Sequence, residues 1–223
     1  MKICHRKDPL LNKCLKESIE MLKPYLKKGI PELFIPSFEP VVIREIIMNQ
    51  GERSPINLQI TYKNFHIWGI SRFHINDFHI KLENNIIKFK MSFPNLIAKA
   101  WYTLNGKILM LPIIGNGIKE GNYSDVEGIV MIQGRTISKN NFTYFQINNL
   151  RVDLDVGHIN IRFNNLFNGD KELGNAMNAI INENWRVIKK DITPIFEEII
   201  CDVVSDLFGK LYDTFPLEEI LPE

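Results

Sequence analysis

Cysteine is scarce in this chain of 223 residues, with Cys4, Cys14 and Cys201 the whole supply. Charge of one sign is scarce too, since 27 Lys and Arg face 26 Asp and Glu. The formal charge of +1 excludes a bulk electrostatic pull toward nucleic acid or an anionic membrane, though a local basic patch stays open. Long apolar runs are absent. The longest near-continuous one, Ile108 to Ile114, is interrupted by Pro112 and falls far short of the ~20 residues that a bilayer span needs, so no stable membrane insertion is expected. What is present is an ordinary globular composition: 45% hydrophobic against 24% charged residues excludes disorder, and one domain or two small ones could bury an interior without metals.

The first residues, Met-Lys-Ile-Cys-His-Arg-Lys, lack the apolar core of a secretory signal, which leaves a cytosolic chain or a mature form without its leader. Cys4 and Cys14 bracket a short segment at the terminus, where thiols have little catalytic support and a bridge would pin a fraying end. A disulfide is the preferred reading, contributing roughly 3 kcal/mol and implying an oxidising compartment; two reduced cysteines in a cytosolic protein are the alternative. Cys201 lies in an apolar helical run and reads as a small buried hydrophobe. The sequons at Asn122 and Asn141 decide nothing in a chain this rich in Asn.

Periodicity divides the chain. Asp8-Pro9 is a helix opening, and Leu11, Leu15, Ile19, Leu22 and Leu26 recur at helical spacing, predicting a helix over 8–28 that ends or kinks near Lys23 because Pro24 follows. Residues 29–40 carry three closely spaced prolines and read as an extended connector. From 41 to 167 the period becomes two, with runs such as Ile56/Leu58/Ile60/Tyr62, Ile87/Phe89/Met91/Phe93, Leu96/Ala98/Ala100/Tyr102/Leu104 and Leu150/Val152/Leu154/Val156. Asn84-Asn85, Asn105-Gly106, Asn140-Asn141 and Gly157 are the predicted turns, so successive strands should be antiparallel neighbours in one meandering sheet. Residues 170–211 then return to helical spacing as one long helix kinked near Pro194, roughly 60 Å at 1.5 Å per residue, which predicts an elongated molecule. Its second half is apolar over a wide arc, as suits a helix cradled inside a curved sheet.

Chemistry is harder to find. Gly115-Asn-Gly117-Ile-Lys-Glu-Gly121 partly matches a dinucleotide loop, but its third glycine comes late and no helix follows, so a glycine-rich turn is expected. His66, His74 and His79 lack the paired spacing of a zinc site, and Asp153 and Asp155 alternate with Leu154 toward an outer face. No nucleophile-elbow, zinc-protease or phosphate-loop motif occurs, so no catalytic residue, metal ligand or cofactor is assigned. Ala98 and Ala100 are small where neighbouring strands place Phe89, Met91 and Phe93. Either a bulky helix residue such as Trp185 or Phe196 fills that gap, or an apolar void remains that could take a ligand. Tyr102, on the same face, brings a hydroxyl that could orient a ligand or bond to backbone.

Four segments in order resemble the insect takeout and juvenile-hormone-binding protein family. They are the Cys4/Cys14 pair before an amphipathic helix, the connector from Gly29 through Ile35-Pro-Ser-Phe-Glu-Pro40, the run Tyr102-Thr-Leu-Asn-Gly106 through Gly117, and Asn165-Leu-Phe-Asn-Gly-Asp-Lys-Glu-Leu173 followed by Asn182-Glu-Asn-Trp185. The resemblance covers essentially the whole chain. It implies an α+β fold in which a strongly curved antiparallel sheet wraps a long C-terminal helix, the architecture of lipid-transfer and bactericidal/permeability-increasing proteins. It further implies a secreted, extracellular carrier without enzymatic activity, expected to be a monomer, whose apolar tunnel holds a terpenoid hormone, fatty acid or other lipid. Cys4 and Cys14 map onto the family's N-terminal disulfide, and with only Cys201 left for a second bridge the chain stands nearer the takeout-like branch. Glu39 stands where the family usually has Asp. The residues expected to line the tunnel are Ala98, Ala100, Tyr102, Met177, Ile180, Ile181 and Trp185. A protein-interaction module with a side-chain-filled core and a lipid-modifying enzyme are the competing readings.

Overall fold

The structure is a computed structural model that describes residues 3–49 and 56–223. Helix α1, Leu11–Leu26, follows a turn in which the Asp8 carboxylate accepts from the Leu10 amide at 2.7 Å. Pro24 does not end it: the missing N–H removes one bond near the C-terminus, and the helix runs two residues further before Gly29, at φ +87, turns the chain. Six strands follow: β1 Val41–Asn49, β2 Ile56–Trp68, β3 His74–Lys81, β4 Ile86–Ile108, β5 Leu111–Lys139 and β6 Phe142–Phe163. They form one antiparallel sheet in the order β1-β2-β4-β5-β6, with β3 pairing the first half of β4 and β2 its second half.

Three of these strands are far longer than the runs read from periodicity. Inward residues of β4 are odd-numbered through Phe93 and even-numbered from Leu96, so what looks like two strands is one that changes face at Pro94. The same exchange occurs at Asp125 in β5, which has φ +54, and at Gly157 in β6, and the ladder holds these three residues side by side. A fold line therefore crosses the sheet. The 29 residues of β5 would extend roughly 95 Å if straight, at about 3.3 Å each, whereas a 30-residue helix spans about 45 Å. Bending at this line, with the bulge at Gln133/Gly134, curls the sheet around the helix instead.

Two of the predicted turns lie inside strands. Asn105-Gly106 pairs with β2 on one side and β5 on the other, and its glycine, at φ +152, serves close approach to the Asn57 carbonyl rather than a reversal. The β4–β5 hairpin instead turns at Leu109-Met110, both at positive φ, and β5–β6 turns at Asn140-Asn141 as predicted. Gly157 is likewise a strand residue at the fold line.

The C-terminal helical region has a break where the sequence pattern has none. Helix α2, Lys171–Glu183, is capped by Asp170, whose side chain accepts from the Leu173 amide at 3.0 Å, and stops at Asn184; α3, Trp185–Thr214, then passes through Pro194. Helix α4, Leu217–Ile220, closes the chain. Asn178 and Asn182, one helical turn apart on α2, fasten the outer edge of β6. Asn178 accepts from the Phe163 amide at 2.8 Å and donates to its carbonyl at 3.0 Å, and Asn182 does the same to Ile161, with both distances 2.8 Å. Four helical residues rise about 6 Å and two strand residues about 6.6 Å, so the two side-chain amides match the strand's repeat and stand in for a neighbouring strand. Further along the same edge, Glu197 accepts from the Leu154 amide at 2.8 Å and Cys201 donates to the Leu150 carbonyl at 3.7 Å.

The chain ends meet. Cys4 and Cys14 form a disulfide, Leu11 and Leu221 pack beside it, and the Arg6 side chain donates to the Leu221 carbonyl at 2.7 Å.

Candidate functional site

The concave face of the sheet holds two apolar clusters, the first of which reaches across the fold line through Val126 and Val156. The first gathers Leu58, Tyr62, Phe65, Leu104, Val126 and Phe163 from the strands with Met177, Ile181, Trp185 and Ile188 from the helices. The second joins Val130, Ile132, Phe145 and Val152 to Tyr212 and Phe208 of α3. Of the residues expected to line a tunnel, Ala98, Ala100, Tyr102, Met177, Ile181 and Trp185 are all buried in the first cluster. Ile180 is half-buried and outside it. The Tyr102 hydroxyl is already committed, donating to the Asn164 carbonyl at 2.6 Å, and burial pushes its pKa up to about 12. The indole N–H of Trp185, by contrast, is buried without a hydrogen-bond partner among the described residues.

The residue that the sequence reading passed over is Lys119. It lies within the glycine-rich run expected to be a turn, yet that run is the first half of β5, with Gly115, Lys119 and Gly121 facing inward. Lys119 stands directly between Ala100 of β4 and Phe163 of β6 and is only 2% exposed. Its amine donates to the Tyr123 hydroxyl and sits 4.9 Å from the Tyr123 ring centre, 5.1 Å from that of Phe65 and 5.9 Å from that of Tyr62. Phe196 of α3 packs on Phe65 at 6.4 Å. Small neighbours make the cage possible: a Cβ at Gly121 would come within 2.7 Å of the Tyr123 hydroxyl and 3.0 Å of the lysine nitrogen. The gap above the alanines is thus occupied by a cation and its rings. Burial pulls the amine's pKa down to about 7 and pushes the phenols of Tyr62 and Tyr123 well above their usual range. No carboxylate among the described residues lies within ion-pair distance of Lys119. Only its alternation with inward glycines, as the one charged residue of that row, could have exposed it in the sequence.

Gly128 is buried and faces inward, level with Met91 of β4 and Leu154 of β6, yet a Cβ placed on it would meet no atom within 4 Å. A cavity of about 500 Å³ is an open groove whose lining includes Thr61, Lys63, Trp101, Tyr102, Asn116 and Asn164.

Elsewhere the groups that could do chemistry are engaged at the surface. His79 pairs with Asp77 at 2.9 Å, His158 with Asp125 at 3.3 Å, and His66 with the Asn64 carbonyl at 2.6 Å. Asp155 bonds Lys189 of α3. Burial pushes the Cys201 thiol up, away from the reactive thiolate. Among the described residues no group of three or more His, Cys, Asp or Glu is placed to hold a metal.

A sheet curled around a C-terminal helix, with an apolar interior beneath, is the fold of Takeout 1 from Epiphyas postvittana, whose crystal structure superimposes with a TM-score of 0.87 over 100% of both chains at 20% identity. The chain belongs to the family of haemolymph juvenile hormone binding proteins, whose family model matches residues 1–222. It is 24% identical over 219 residues to the circadian clock-controlled protein daywake of Drosophila melanogaster, and 21% identical to daywake of Drosophila yakuba; each match covers 92% of this chain and 82% of the relative.

Proposed function

We propose that the protein is a secreted carrier that holds a hydrophobic small molecule, a terpenoid, fatty acid or other lipid, in an apolar channel between α2 and α3 and the concave sheet. The observation that carries this reading is the open space in front of Gly128, where a buried, inward-facing position lacks the side-chain contacts that a solid core would supply. Membership of a family described by its binding of a haemolymph hormone supports it. The Cys4–Cys14 disulfide supports an oxidising, extracellular setting.

Affinity would come from burying hydrocarbon, at roughly 25 cal/mol per Å² before association costs. Orientation would come from the few polar groups inside. Trp185, with its unused N–H, is the neutral donor available to a ligand oxygen, while Tyr102 is held to Asn164 and serves the wall. Organic extraction of protein purified from its natural source, followed by mass spectrometry, tests the carrier directly. A stoichiometric apolar compound is the expected result; protein that is repeatedly lipid-free and fails to take up any long-chain probe would overturn it.

A further inference from the structure

Nothing in the fold requires Lys119. Taking an ammonium out of water without a counter-charge is costly, and a methionine would fill the same space at no such cost. Three rings surround the amine and favour a cation, but they supply no negative charge. The amine makes one hydrogen bond, to Tyr123, where an ammonium could donate three. A basic group with spare donors, walled by hydrocarbon and facing small residues, is half of an ion pair.

We propose that Lys119 is the head-group anchor of the interior and that the cargo carries a carboxylate: an aliphatic or terpenoid acid whose chain lies along the apolar channel and whose carboxylate meets this amine. The inference rests on the carrier reading and narrows its ligand class. The proton balance is simple. A neutral amine and a carboxylate take up one proton from solvent to give an ammonium–carboxylate pair; an amine already protonated takes up none. The groups around the amine that can titrate are the phenols of Tyr62 on β2 and Tyr123 on β5, with Tyr102 on β4 beside Tyr62, and burial holds all three neutral. The charged groups on the flanking elements are turned away. Lys99 and Glu120 pair with each other on the outer face at 2.9 Å, Lys189 pairs with Asp155, and Glu197 caps the edge of β6. From α3, the uncharged Phe196 packs on Phe65, one of the three rings around the amine.

The test compares palmitic acid, the alcohol of the same chain length and the methyl ester, each displacing a fluorescent probe from the wild-type protein and from Lys119→Met. At pH 6.5 the wild type should prefer the acid to the alcohol by about tenfold or more, the size expected of a charge-assisted contact. Lys119→Met should abolish that preference. Because the amine in the empty protein titrates near 7, affinity for the acid should fall by about tenfold per pH unit between pH 7 and 9 while that for the alcohol stays level. The wild-type comparison and its pH profile need no variant, so they stand even if the substitution disturbs folding. Equal affinity for acid and alcohol in the wild type, or a preference that survives in Lys119→Met, would overturn the anchor and leave the carrier intact. If neither the fluorescent probe nor any of the three compounds binds, the carrier reading falls and the anchor with it.

Discussion

Lys119 has a consequence for stability that is separate from ligand. Its amine titrates near 7 in the folded protein and near 10.4 in an unfolded chain. Between those values the unfolded state holds a proton that the native state does not, so folding stability rises with pH across this window, and the full penalty applies below about pH 7. Over the whole window the rise should be on the order of 5 kcal/mol, about 1.4 kcal/mol for each unit of displacement. Above about pH 10 the sign reverses, because the unfolded phenols of Tyr62, Tyr102 and Tyr123 ionise while the buried ones do not. Urea unfolding at pH 6.5 and 9.5 checks this: wild type should be more stable at the higher pH, and Lys119→Met should be more stable than wild type at pH 6.5 and show no rise. Glu39 acts with the same pH sense, in an acid window. Burial pushes its carboxyl up, but hydrogen bonds from the Gly69 and Ser71 amides and the Ser71 hydroxyl, with the Arg72 charge, outweigh that and hold it below the usual range. Its contribution is present at neutral pH and is lost in acid as the pH falls through the folded value.

At the scale of elements, the end of the β6 edge at Ile161 and Phe163 is held by two side chains. Replacing Asn178 or Asn182 by Ala leaves an amide and a carbonyl of Phe163 or Ile161 facing a methyl group, at a cost of about 1–3 kcal/mol each. Denaturant midpoints should fall for each variant, and hydrogen exchange at the Ile161 and Phe163 amides should quicken well beyond that at central strands. Both asparagines lie on a helix in which apolar periodicity is easily read, but neither betrays its partner, because the match of helical rise to strand repeat appears only when α2 lies along β6. The turns teach the same lesson. Asn105-Gly106 is a strong hairpin signal, yet the ladder continues through it, since pairing on both sides outweighs local preference and the glycine meets a crowding carbonyl from β2. Leu109 and Met110 are unlikely turn formers by type, and there the long strand reverses.

For the whole molecule, the proposed carrier turns on the space in front of Gly128, where an added Cβ would meet no atom within 4 Å. Gly128→Leu would project into open space, and this glycine has no positive φ to lose, so the folding midpoint should be unchanged or raised. The same substitution should reduce the uptake of a long-chain probe severalfold, measured by titration of the folded protein. Unchanged uptake would place the ligand elsewhere. The two core clusters and the helix that spans both make the surroundings of Gly128 a property of the assembly, since no strand supplies them alone.

By itself the sequence determined the alternation of small periods: a helix, a long region of period two, a second helical region and a cysteine pair at one end. These follow from local sterics and from the need to turn one face of each element inward, both of which are written residue by residue. Tertiary structure alone decided where alternation changes face, which edge needed covering and what filled the space above Ala98 and Ala100. Those outcomes depend on three strands bending at one level and on a lysine whose neighbours come from β2, β4 and β6, and contacts between residues far apart in the chain leave no mark in the spacing of any one of them.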